Sequence, residues 1–104
     1  MATGSFRVNK VVFIGAGNMA EALVKGMTAS GVCKRDRILV TDVRPERLAF
    51  FEKEFLVKGS ADNSSAVKDA DVVVLAVKPQ MMGEVLDGLK SSLGKCSSVF
   101  VDAR

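Results

Sequence analysis

Short apolar runs alternate along this chain with longer stretches whose apolar residues recur every three or four positions. Lys10 to Gly15 (KVVFIG) is an apolar run closed by glycine, the pattern of a strand buried on both faces. From Asn18 to Ser30 the period lengthens. Met19, Leu23 and Met27 share one helical stripe, with Ala20 and Val24 beside them. Glu21 and Lys25 are spaced for an ion pair on the opposite, wet side, and Gly31 supplies the stop. Arg37 to Thr41 (RILVT) reads as a second strand. Pro45 then opens a helix to Phe55, with Leu48, Phe51, Phe55 and Leu56 expected to face the core.

Val57 to Gly59 reads as a very short third strand, and Asp62 and Asn63 as caps for a short helix over Ser64 to Lys68. Asp71 to Val77 (DVVVLAV) is the strongest strand signal, β-branched and uncharged after its first residue. Pro79 and Gln80 open a helix from Met81 to Ser91, with Met82, Val85, Leu86 and Leu89 inward. Gly94 breaks it, and Ser98 to Val101 is a fifth short strand. No repeat, low-complexity tract or linker divides the chain, so residues 1–104 are expected to form one domain, with residues 1–9 an extension or loose start. Strands joined by helices require right-handed crossovers and a parallel sheet covered on both faces. The expected fold is α/β, a Rossmann-type doubly wound parallel sheet of strand order 3-2-1-4-5.

Composition narrows the chemistry. With 48% apolar and 26% charged residues the chain is an ordinary globular domain, not a disordered one. No apolar run approaches the roughly 20 residues of a membrane span. Histidine, tryptophan and tyrosine are absent, which excludes histidine acid–base chemistry, histidine metal ligation and Ser-His-Asp catalysis within these residues. Cys33 and Cys96 form no C-x-x-C pair, so zinc and dithiol redox readings fail and no metal ligand set is assigned. Without a signal-peptide core at the N-terminus, free thiols in a reducing cytoplasm are expected. The net charge of +3 is interspersed and only Phe supplies aromatics, so no nucleic-acid partner is expected.

The positive signal is Gly15-Ala16-Gly17-Asn18-Met19-Ala20, a G-x-G-x-x-A turn directly after a strand and before a helix. The first glycine permits the tight turn, the second leaves room for a pyrophosphate, and Ala20 lets the helix press on the sheet. Free N–H groups at the helix start would then face phosphate. Asp42 closes the second strand about 20 residues on, the spacing of the acid that binds an adenine ribose. A carboxylate there favours NAD(H) by repelling a 2′-phosphate. Arg44, two residues later, has the fork geometry that clasps phosphate, so NAD(H) is the expected cofactor with NADP(H) as the alternative. The alternative for Asp42 is a turn-capping loop residue, and for Arg44 a solvated charge.

At these residues a family resemblance enters. VVFIGAGNMAEALVKGM (Val11 to Met27) resembles the opening of pyrroline-5-carboxylate reductases, and Asp71 to Gln80 (DVVVLAVKPQ) resembles that family's apolar strand followed by A-V-K-P. The likeness runs from about Val11 to Ser98. It implies that the backbone of Ile14, Gly15, Ala16, Gly17, Asn18 and Met19 holds the cofactor pyrophosphate. It further implies that Asp42 faces the ribose, that Asn63 reaches the adenosine, and that Ala76, Val77, Lys78 and Pro79 line the nicotinamide side. Asn63 as a helix cap and Lys78 as a surface charge stand as the alternatives. The implied reaction is reduction of 1-pyrroline-5-carboxylate to proline by NAD(P)H.

Two features depart from the family. Asp42 stands where it often has a small or polar residue suited to NADP(H), and Asp102 and Arg104 stand where it has a small-residue A-A-G stretch. The family continues into a helical domain that dimerises and binds the imine acid. From that pattern a homo-oligomer is expected, the groups that grip substrate are expected outside this chain, and no catalytic residue is assigned within it. A related NAD(P)-dependent reductase or dehydrogenase, and a non-enzymatic nucleotide-sensing domain, remain the alternatives.

Overall fold

The structure is a computed structural model and describes residues 10–31, 33–68, 70–89 and 98–101. Four segments are strands of four residues: β1 (Val11–Ile14), β2 (Ile38–Thr41), β4 (Val72–Leu75) and β5 (Ser98–Val101). The three-residue β3 is Lys58–Ser60. The helices are α1 (Asn18–Ser30), α2 (Pro45–Phe55), α3 (Asn63–Ala66) and α4 (Pro79–Leu89). All strand pairs are parallel and the sheet order is β3-β2-β1-β4-β5, as the alternation of strand and helix requires.

Alternation along each central strand divides the core into two layers. Val11, Phe13, Ile38, Val40 and Val74 pack on one side with Ala20 and Val24 of α1 and Phe51 of α2. Val12, Ile14, Val73 and Leu75 pack on the other with Ala66 of α3 and Leu89 of α4. Phe50, Phe51 and Phe55 meet edge to face, with centroids 5.5–5.9 Å apart. Burial on both faces is why β1 and β4 read as continuous apolar runs.

Several local expectations are corrected. Leu56 does not join the core: it caps α2 in the left-handed region at φ 57° and is exposed. In α1 only Ala20 and Val24 are buried, and Leu23 lies at the surface, because the helix meets the sheet through its smaller side chains. Glu21 pairs not with Lys25 but with Arg47 of α2. Asp62 alone caps α3, accepting the Ser65 N–H at 3.3 Å, and Asn63 is the first helical residue. The strand at β3 begins at Lys58 rather than Val57, because the Val57 N–H still bonds back to the Phe51 carbonyl at the end of α2. The expected extension of α4 to Ser91, the break at Gly94 and the thiol of Cys96 lie outside the described residues. Among the described residues no helix is long and apolar enough to cross a membrane, and no cluster of metal-ligating side chains is present.

Candidate functional site

The sheet order reverses between β1 and β4, and the carboxyl ends of these strands open into a cleft of about 800 Å³. Its floor is the turn from β1 to α1. Gly15 adopts φ 104°, and a Cβ there would lie 2.5 Å from the Ala76 carbonyl oxygen, so only glycine fits between β1 and the end of β4. The chain is pinned on both sides of it: the Gly15 N–H donates to Thr41 C=O and the Ala76 N–H to Ile14 C=O, each at 2.9 Å.

Gly17 differs. Its φ of −91° is open to any residue, and a Cβ would meet nothing within 4 Å. No side chain caps α1, and the helix's hydrogen bonding starts with the Glu21 N–H donating to Gly17 C=O at 3.0 Å. The N–H groups ahead of it are those a helix cannot satisfy internally. Open space at the second glycine and uncapped donors therefore coincide at one end of the cleft.

Asp42 and Arg44 form its far wall. The Asp42 carboxylate accepts the Ala16 N–H at 2.9 Å, the Arg44 N–H at 2.9 Å, Arg44 Nε at 2.9 Å and Arg44 Nη2 at 2.8 Å. Its side chain is 7% exposed, whereas that of Arg44 is 50% exposed. The Arg44 guanidinium, helped by the Ala16 and Arg44 N–H groups, holds the Asp42 carboxyl well below the usual carboxylate range, against the opposing effect of burial. Asp42 in turn raises the Arg44 guanidinium. The carboxylate that spacing assigns to a ribose is thus bonded to the protein's own donors, and the exposed partner is the arginine.

Of the other sequence-selected residues, Ile14, Asn18 and Met19 line the cleft beside the glycines. Ala76, Val77 and exposed Lys78 line it from the end of β4, and Asn63 from the start of α3. Ala16 lies behind the wall, wholly buried, and Pro79 begins α4 just past Lys78. Thr41, Val43, Ala61 and Arg47 also line the cleft without any signal in the sequence, and exposed Met81 lines it from α4. Arg47 is the most consequential. From α2 it donates Nε to the Ala16 carbonyl at 2.6 Å and Nη2 to Glu21 Oε1 at 3.1 Å. Its guanidinium lies 4.8 Å from the Phe50 ring centroid and 5.5 Å from that of Phe51. Proximity of Phe50 and Phe51 in the helix is the one signal that an aromatic shelf for this arginine existed.

Comparison with known proteins agrees with this geometry. The family model described as NADP oxidoreductase coenzyme F420-dependent matches residues 10–103. A pyrroline-5-carboxylate reductase of Pseudomonas aeruginosa is 44% identical over 84 residues, 81% of this chain and 30% of the relative. The solved pyrroline-5-carboxylate reductase of Coxiella burnetii superposes with a TM-score of 0.87 at 38% identity, covering 93% of this chain and 36% of that one. The Plasmodium falciparum pyrroline carboxylate reductase solved with NADP bound shares the fold, with a TM-score of 0.73 at 24% identity over 88% of this chain and 33% of that one. The chain thus spans about 30% of the length of the curated relatives it matches. The resemblance drawn from its two signature stretches holds, and the chain belongs to the NADP oxidoreductase coenzyme F420-dependent family.

Proposed function

We propose that the cleft binds a reduced nicotinamide dinucleotide, NADPH ahead of NADH, as the cofactor part of a pyrroline-5-carboxylate reductase. The observation that carries this reading is the coincidence at Gly17. The protein itself makes no use of the missing side chain there, yet the residue lines the cleft at the start of a helix that no side chain caps. That is the cradle a pyrophosphate fits. The 42–44 pair supports the choice of NADPH. Asp42 is neutralised by Arg44, and half of the Arg44 side chain remains open to clasp a 2′-phosphate.

A bound reduced nicotinamide supplies the hydride that converts the imine of 1-pyrroline-5-carboxylate to the amine of proline. In this reading the turn from Ile14 to Met19 orients the dinucleotide through its pyrophosphate, and Asn63 offers its carboxamide to the adenosine end. Ala76 to Pro79 form the wall that places the nicotinamide and shields it from water. No residue of the chain is assigned to deliver the proton or grip the substrate carboxylate. Those groups come from outside these 104 residues, in a homo-oligomeric cytoplasmic enzyme, and the chain alone has no turnover.

Calorimetric titration of NADPH and NADH into the wild-type chain and into Gly17→Leu and Arg44→Ala tests this. Gly17→Leu should remove binding of both cofactors without altering the circular dichroism spectrum, and Arg44→Ala should lower NADPH affinity selectively. Unchanged binding by Gly17→Leu would overturn the phosphate site. An unchanged NADPH-to-NADH ratio in Arg44→Ala would overturn the cofactor preference.

A further inference from the structure

Ala16 is gripped from two sides. Its N–H is taken by Asp42 and its carbonyl by Arg47, an arginine 31 positions away on another helix. The second grip has a geometric consequence. In a trans peptide the carbonyl and the following N–H point in opposite directions, and the unit is rigid. Turning the Ala16 carbonyl toward α2 therefore turns the Gly17 N–H the opposite way.

We propose that Arg47 is the positioning residue for the anion-binding turn, setting the Gly17 N–H toward the pyrophosphate through its bond to the Ala16 carbonyl. This rests on the dinucleotide reading above and assigns a residue that touches the turn rather than the reacting atoms. The guanidinium suits the task because three contacts fix it at once. Phe50 and Phe51 hold its plane, Glu21 of α1 holds Nη2, and Nε is left on the Ala16 carbonyl at 2.6 Å. A lysine carries the same charge but lacks the planar fork to make two of these bonds together. Because Glu21 lies in the first turn of α1, the same arginine also fixes the helix that carries the remaining donors.

The test is titration of ADP, which carries a pyrophosphate but no nicotinamide, followed by calorimetry and by amide NMR. It uses the wild-type chain, Arg47→Lys and Arg47→Met. Both variants should bind ADP about tenfold more weakly, the weight of one hydrogen bond to a charged group. At saturation the Gly17 amide should lose its ADP-induced shift in both, while the Ala61 and Asn63 amides keep theirs. Wild-type affinity in Arg47→Lys with weak binding in Arg47→Met would overturn the inference in favour of charge alone. Unchanged affinity in both variants would overturn it, as would loss of every cleft amide response together, the mark of a merely structural role. Failure of the wild-type chain to bind ADP would instead overturn the dinucleotide reading on which the inference stands.

Discussion

Asp42→Ala should destabilise the chain even when no nucleotide is bound. The four hydrogen bonds on the carboxylate divide into two kinds. Three come from Arg44, whose side chain is half exposed and whose guanidinium turns to water when its partner is removed, at a cost of about 0–1 kcal/mol. The fourth comes from the N–H of Ala16, which is fully buried and would be orphaned, at a cost of about 1–3 kcal/mol. An overall loss of roughly 1–4 kcal/mol follows, or on the order of 10 °C in Tm for a domain of this size. The pH dependence has a definite sign. The folded carboxyl is held below its unfolded value of about 3.9, so its contribution is complete above that value and is lost as pH falls toward the folded one. Urea unfolding of wild type and variant should therefore show a full gap at pH 7 that narrows below about pH 4. Equal midpoints at pH 7 would mean that Asp42 waits for a ligand and does not hold the turn, whereas a gap of the same size at pH 2.5 would mean that it holds the turn without its charge.

Gly15→Ala should cost about 2–4 kcal/mol of stability by urea unfolding, because it forces a Cβ onto the Ala76 carbonyl at a left-handed φ. In a Cys96→Ser background, Cys33 should react slowly with a thiol reagent at pH 8 and rapidly once unfolded. Burial raises its thiol, with Asp36 adding to the effect and Arg37 opposing it. Leu56→Gly should stabilise the chain by about 0.5–1 kcal/mol in thermal unfolding, since it relieves a left-handed leucine whose side chain is 60% exposed.

The elements set by continuous patterns were legible in advance. α1 and α2 run between the residues that the sequence indicates, because proline, glycine and the change of hydrophobic period mark their ends, and β5 coincides with its short apolar run. The inward face of α4 was legible for the same reason: Met82, Val85, Leu86 and Leu89 fall on one stripe and all pack against the second core layer. Leu56 was not. Its hydrophobicity continues the stripe of α2, but its backbone has already turned left-handed, and backbone conformation outranks periodicity at a helix end. Leu23 shows the complementary limit. A four-residue spacing identifies a face of α1 but not how deeply each side chain on it is covered.

The site divides along the same line. Glycines and strand ends are visible because their constraint is local: Gly15 answers to its own φ and to the neighbouring strand, and Gly17 to empty space. The clamp on Ala16 is not visible, because it joins a backbone atom of one turn to side chains arriving from β2 and α2. Ala16 has no side-chain chemistry to single it out, and Arg47 sits among the ordinary charges of an amphipathic helix. Asp42 stands at the spacing of a ribose-binding acid, yet the spacing alone does not say which donors the carboxylate faces. That is decided by Arg44 two residues on. A neighbouring guanidinium 2.8 Å away holds the acid and leaves a half-exposed cation beside it, the arrangement on which the proposed preference for NADPH rests. The charge at this end of the cleft thus belongs to the Asp42–Arg44 pair and not to the residue at the expected position alone.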